Sequence, residues 1–269
     1  ALAPMVGLER RAAAADRAAA SGIISNAAMV DLYAQVYADP DVSGDWQKRA
    51  EALRDAYTLD APAARLSAMQ SLWTGTGGGE ASYARQVLTA AAAARVAPSK
   101  DLEADAPALI ASMLSAGYDT NALAWSSIVP SGSAGWGLLT LAAPGRIRAV
   151  DTSAVDTYYG ADESRNKRRS AFLVAGLAGL ERIDQGAASR YSNDWGMQLD
   201  SATHFTKAID AAATAGDAAS VALLAGLGMQ GSSWQRMTPR YLYHIVSALR
   251  AVGLEAEARM IAAEAVTRA

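Results

Sequence analysis

Apolar positions along this chain of 269 residues recur at helical spacing, and no segment alternates as a half-buried strand would. Between residues 23 and 37, Ile24, Ala28, Leu32 and Val36 share one face, and Asp39-Pro40-Asp41 stops the segment. The same reading predicts helices over 8–20, 46–57, 61–73 with Asp60 as its cap, 80–96, 102–116, 121–128 and 135–142. It continues with 153–159, 164–183, 201–215, 218–228, 239–252 and 255–268. Connections are mostly two to six residues long, so neighbouring helices should pair antiparallel. The expected fold is all-α: an α-solenoid, a right-handed superhelical stack of antiparallel helical hairpins. It is read as a single helical-repeat domain over 1–269, or as two lobes, 1–145 and 146–269.

Three joints between helices share a pattern. Gly117, Gly216 and Gly253 each stand where a helix ends, the place that favours a left-handed backbone. Acidic residues follow at once: Asp119, Asp217 and Glu255 sit where the next helix begins and its dipole favours negative charge. Ala122 and Ala258, five places after Gly117 and Gly253, leave room for close approach. Gly216 and Gly253 are 37 residues apart, a separation typical of helical-hairpin repeats. With Ala248-Leu249 before the turn and Ala265-Val266 at the end, the segment from Tyr241 to Ala269 resembles a tetratricopeptide-type repeat. The early Trp and late Pro of that family are absent here. The resemblance implies stacked hairpins with a concave face that binds another chain.

Composition narrows the chemistry. About a quarter of the residues are alanine and only Phe172 and Phe205 are phenylalanine, which favours closely packed helices over sheets. There is no cysteine, so disulfides, thiolate metal sites and cysteine nucleophiles are excluded. A formal charge of −3 and a pI near 5.5 argue against a nucleic-acid partner. The longest apolar stretches fall short of the roughly 18–20 residues that span a bilayer. The chain opens Ala-Leu-Ala-Pro, which suggests removal of something upstream, a targeting peptide or the rest of a longer protein. Twenty arginines against four lysines, with the alanine content, suggest a GC-rich bacterial source, and the lack of cysteine fits its cytoplasm or periplasm.

Several constellations invite a chemical reading. The glycine-rich stretch from Thr74 to Glu80 follows a helix and lacks a Gly-Lys-Ser/Thr ending, so it fits a loop better than a phosphate cradle. Ser164 and Lys167 have the Ser-x-x-Lys spacing of serine acyl-enzymes, without the Lys-Thr-Gly strand that would complete such a site. Arg165, Lys167, Arg168 and Arg169 form a basic turn that Asp162 and Glu163 are placed to neutralise; phosphate or an acidic partner is the other reading. His204 and His244, the only histidines, lie 40 residues apart in consecutive hairpins, with a structural role or, joined by Asp200 or Asp210, a metal. The six tryptophans bring no recognisable carboxylate pair with them, so no catalytic residue, metal or cofactor is assigned.

The richest polar and aromatic cluster is read as two loops. One holds Tyr191, Asp194, Trp195, Met197 and Gln198; the other holds Met229, Gln230, Trp234, Gln235, Arg236 and Arg240. Both contain Gly-Met-Gln, and loops of consecutive hairpins would share one edge of a stack. Tyr191, Trp195, Gln198, His204, Trp234, Arg236 and Arg240 are therefore the candidate binding residues, since Trp, Tyr and Arg dominate binding hot spots. Alternatively the tryptophans only plug gaps between hairpins. The function expected is a scaffold or adaptor without catalysis that binds a protein or peptide. The alternatives are an all-α enzyme or auxiliary domain acting on polysaccharide or peptidoglycan, and a structural region of a longer protein.

Overall fold

The computed structural model describes residues 5–75, 78–145, 149–230 and 234–269, so the centre of the 74–80 glycine stretch lies outside the described residues. The chain is all-α, with fifteen α-helices, short 3-10 turns and no strand among the described residues. Contacts group it into two compact units, Ala1–Trp125 and Ser126–Ala269. No described helix is long and apolar enough to cross a membrane.

The first unit contains α1 (Leu8–Ala20), α2 (Asn26–Ala38), α3 (Asp45–Thr58), α4 (Pro62–Trp73), α5 (Gly78–Ala93), α6 (Ala106–Leu114) and α7 (Asp119–Leu123). Helix α1 buries only alanines, Ala12, Ala15, Ala19 and Ala20, and packs against α2 and α5. Small side chains allow that approach, which is why its sequence lacks a conventional apolar stripe. Polar cross-links fix the neighbours. The Asn26 amide donates to the carbonyls of Val87 and Leu88 at 2.6 and 3.0 Å. The Trp73 indole donates to Thr89 Oγ1 at 2.8 Å, and Thr89 meets Ser112 at 3.1 Å. Arg85 is enclosed in this core and donates to the Leu72 carbonyl, while the Tyr33 hydroxyl donates to Asp16 at 2.9 Å. Burial outweighs these partners and raises the Asp16 carboxyl above its ordinary range.

The second unit contains α8 (Ala134–Ala142), α9 (Thr152–Ala161), α10 (Arg168–Gly179), α11 (Gln185–Asp194), α12 (His204–Thr214), α13 (Ala218–Gly228), α14 (Pro239–Ala251) and α15 (Glu255–Thr267). Helix α10 is its axis, packed against α8, α9, α11, α14 and α15. Phe172, Leu173, Val174, Ala175 and Leu177 are all fully buried in it. A Cβ at Gly179 would lie 2.9 Å from Val246, so α14 crosses where α10 has no side chain. Arg182, itself buried, donates to the carbonyls of Thr140, Leu141 and Ala143 and so caps the C-terminus of α8. Hairpins α12–α13 and α14–α15 follow one another, and α14 packs on α12, α13 and α15.

The glycine joints take the expected form. Gly117, Gly216 and Gly253 have φ of +77°, +70° and +86°. Asp119 and Glu255 open their helices, and Asp217 caps α13 by accepting from the Ser220 amide at 3.0 Å. Other boundaries differ from the sequence reading. Asp60 does not cap α4; Ala61 takes that place without a side-chain bond. The 102–116 segment becomes a 3-10 turn over Lys100–Leu102 followed by α6, with a proline in its first turn. Helix α11 stands where a loop was expected, because only Ala188, Tyr191 and Ser192 of its ten residues are buried, too few to write a stripe. The helix predicted from residue 164 starts instead at Arg168, since Asn166 and Lys167 take φ of +56° and +53°.

Glycine-to-alanine substitutions should therefore have opposite signs within this unit. Gly179→Ala forces a methyl into Val246 and should lower unfolding stability by about 1–3 kcal/mol, more than helix propensity returns. Gly226→Ala, with nothing within 4 Å of its added carbon, should raise stability by about 0.5–1 kcal/mol. Urea unfolding followed by circular dichroism measures both; equal effects would contradict the close crossing of α10 and α14.

Candidate functional site

The site is built on a buried carboxylate. Asp162 follows α9, and its Oδ1 accepts from the Ser164 amide at 2.8 Å. Its Oδ2 accepts from the amide and hydroxyl of Ser170 at 2.8 and 2.7 Å. Burial pushes this carboxyl up, but the hydrogen bonds from Ser164 and Ser170 outweigh it and hold the group below its ordinary range. Ser164 Oγ accepts in turn from the Arg169 amide at 3.0 Å, and the Lys167 ammonium donates to the Asp162 carbonyl at 2.7 Å. These bonds hold the left-handed pair Asn166-Lys167 and fix the basic turn at the start of α10. Lys167 also lies 5.2 Å over the Tyr159 ring. Ser164 and Lys167 are thus both spent on the turn and do not form a nucleophile and base.

Arg168 ties this turn to the approach of α14. Its guanidinium donates to the carbonyls of Trp234 and Met237 at 2.6 and 2.7 Å and lies 4.4 Å over Phe172. Burial lowers its pKa from the ordinary arginine value. On another side, Trp195 ends α11 and stacks on Tyr159, with centroids 4.5 Å apart and planes inclined by 16°. Tyr191 supports Trp195 from 4.7 Å, and its buried hydroxyl donates to Asp156 at 2.7 Å. Burial first, then that carboxylate, pushes the Tyr191 phenol up to about 12. Arg240 donates through Nε to the Gln198 carbonyl at 3.0 Å and through its terminal nitrogen to the Gln198 side chain.

These elements enclose one groove of about 1050 Å³. Arg165, Arg168, Arg236, Arg240 and Arg268 line it, with Trp195, Met197 and Tyr241 among the remaining lining residues and no acidic side chain. Arg268 pairs with Glu264 at 2.7 Å and lies 5.8 Å over the Trp234 ring. The side chains of Arg165 and Arg236 are exposed and form neither a hydrogen bond nor an ion pair with a described residue. Each guanidinium offers five donors and no acceptor, so the lining suits an oxyanion.

Of the seven candidates from the sequence, Trp195, Arg236 and Arg240 line the groove. Gln198 positions Arg240, Trp234 lies beside Arg168 and Arg268, and Tyr191 supports Trp195 from behind. His204 is exposed at the start of α12 and does not line the groove. His244 is held structurally, with Nδ1 2.8 Å from Asp210 and Nε2 3.0 Å from the Leu199 carbonyl. The described residues contain no group of three or more His, Asp or Glu suited to a metal.

The sequence reading missed Arg268 and paired the basic turn with the wrong residues. Asp162 binds serines and backbone amides, leaving Arg165 for the groove. A second, smaller cavity of about 330 Å³ is lined by Glu181, Asp200, Tyr243 and Ser192 among others. There Glu181 is bound by Arg250. Comparison of the chain with protein-family models, curated proteins and solved structures gives no match, so the reading of this groove stands on its own geometry.

Removing the Asp162 charge should loosen the turn. Asp162→Asn should cost on the order of 2–3 kcal/mol at neutral pH, because the amides it accepts from stay buried. The lowered carboxyl contributes its full stabilisation above the ordinary value of 3.8 and loses it as pH falls through the lower folded value. The gap between wild type and variant should therefore narrow below pH 3.8. Thermal unfolding across pH tests this, and a gap independent of pH would contradict it.

Proposed function

We propose that the chain is a helical adaptor without catalysis, of the tetratricopeptide-like kind, that binds a protein or peptide partner in the arginine-lined groove of its second unit. The observation that carries this reading is the groove itself: five arginines with Trp195 and Tyr241 around one opening of about 1050 Å³. Arginine and tryptophan concentrate binding energy at interfaces. The volume lies at the upper end of small-molecule pockets, as an extended ligand requires. Arginine keeps its proton through the neutral range, so this lining holds an anion rather than moving protons. Consecutive hairpins joined at Gly216 and Gly253 support the helical-repeat side of the reading.

Anchoring of the lining before a partner arrives also favours binding. Gln198 holds Arg240, and carbonyls of the neighbouring loop hold Arg168. Less side-chain freedom is then lost when a ligand docks.

Selection of a random displayed peptide library on the purified chain tests the proposal. Enriched peptides should bind wild type and lose about tenfold or more of their affinity to Trp195→Ala/Arg236→Ala, a typical cost of removing hot-spot side chains. No enrichment, or peptides that bind both proteins equally, would contradict it.

A further inference from the structure

Resting on the adaptor reading above, we propose that the groove selects an acidic peptide segment, recognised through several side-chain carboxylates spaced along an extended chain. The arginines come from separate parts of the second unit: Arg165 and Arg168 at the start of α10, Arg236 and Arg240 at the approach to α14, and Arg268 after α15. Four of them, Arg165, Arg168, Arg236 and Arg240, have no carboxylate partner among the described residues, while Glu264 pairs with Arg268; with no acidic side chain lining the opening, in a chain of net charge −3, they concentrate positive potential at this place. The Arg165 and Arg236 guanidinium groups have no partner among the described residues, so their forks are open to carboxylates. Arg168 and Arg240 are held by backbone and amide oxygens that leave their charge unneutralised.

Two features favour a peptide over other anions. A single phosphate needs donors that converge on one point, whereas these cations line an opening of about 1050 Å³. Single-stranded nucleic acid is held by bases stacked on open aromatic faces. Trp195 instead packs its ring on Tyr159 and Tyr191, which makes it a wall of the groove. A carboxylate-rich peptide needs the donors and a firm apolar wall, and both are present.

The test is fluorescence anisotropy with labelled hexaglutamate, beside hexaglutamine, oligothymidylate and tripolyphosphate, on the full chain. Hexaglutamate should bind best, and more weakly as salt rises from about 50 to about 300 mM. Arg165→Ala/Arg236→Ala should weaken it by about a hundredfold, roughly tenfold for each charged partner lost. Both positions are exposed, and unchanged circular dichroism would confirm the fold. Arg10→Ala/Lys48→Ala removes the same charge from exposed positions in the first unit and should change binding less than about twofold. Equal or tighter binding of hexaglutamine, oligothymidylate or tripolyphosphate would overturn the assignment. If hexaglutamate fails while library-selected peptides still need Trp195 and Arg236, the acidic specificity falls and the adaptor reading stands. If both fail, the adaptor reading falls as well.

Discussion

The basic turn that opens the groove depends on the hydrogen bonds that Asp162 accepts. A carboxylate removed from water is costly unless its lone pairs are filled. Here the amides of Ser164 and Ser170 and the Ser170 hydroxyl fill them, within 2.7–2.8 Å. Those bonds fold the chain back between α9 and α10 tightly enough to hold two successive residues, Asn166 and Lys167, in a left-handed conformation that side chains resist. The turn then presents Arg165 to the groove and sends Arg168 to the carbonyls of Trp234 and Met237. One buried negative charge thereby sets the Arg165 and Arg168 side of the positive rim.

The turn keeps its place because α10 is enclosed. Its fully buried residues and its glycines let α8, α14 and α15 close on it with little free volume. Where helices pack this closely, an added methyl has nowhere to go, and a displacement of α10 would carry both sides of the groove with it. A chain rich in alanine and poor in phenylalanine reaches a firm scaffold through short distances between backbones. The first unit follows the same rule at α1, whose buried residues are all alanines.

Helical class, most of the helices and the left-handed joints at Gly117, Gly216 and Gly253 were legible in the chain, because apolar spacing and capping are local signals. Helix α11 was not, since its stability comes from Tyr191 reaching Asp156 and from Trp195 packing on Tyr159, contacts that no local pattern records. The candidate site was half legible. The composition of the two loops marked Trp195, Arg236 and Arg240, while Gln198 and Trp234 turned out to support neighbouring arginines. Charge pairing misled the reading of the basic turn, because nearness in sequence suggested that Asp162 neutralises arginine, whereas in three dimensions it accepts from serines and amides. Arg268, 28 residues beyond Arg240 in the nearer loop, carried no sequence signal that linked it to the groove.

The central claim is that these arginines act together on one anionic ligand. Guanidinium Nε resonances, followed by nuclear magnetic resonance during titration with hexaglutamate, test it most directly. The account predicts saturable shifts with a common midpoint for Arg165, Arg236, Arg240 and Arg268, and little change at Arg10 or Arg54. Small shifts spread evenly over all arginines, or none at the groove, would contradict it.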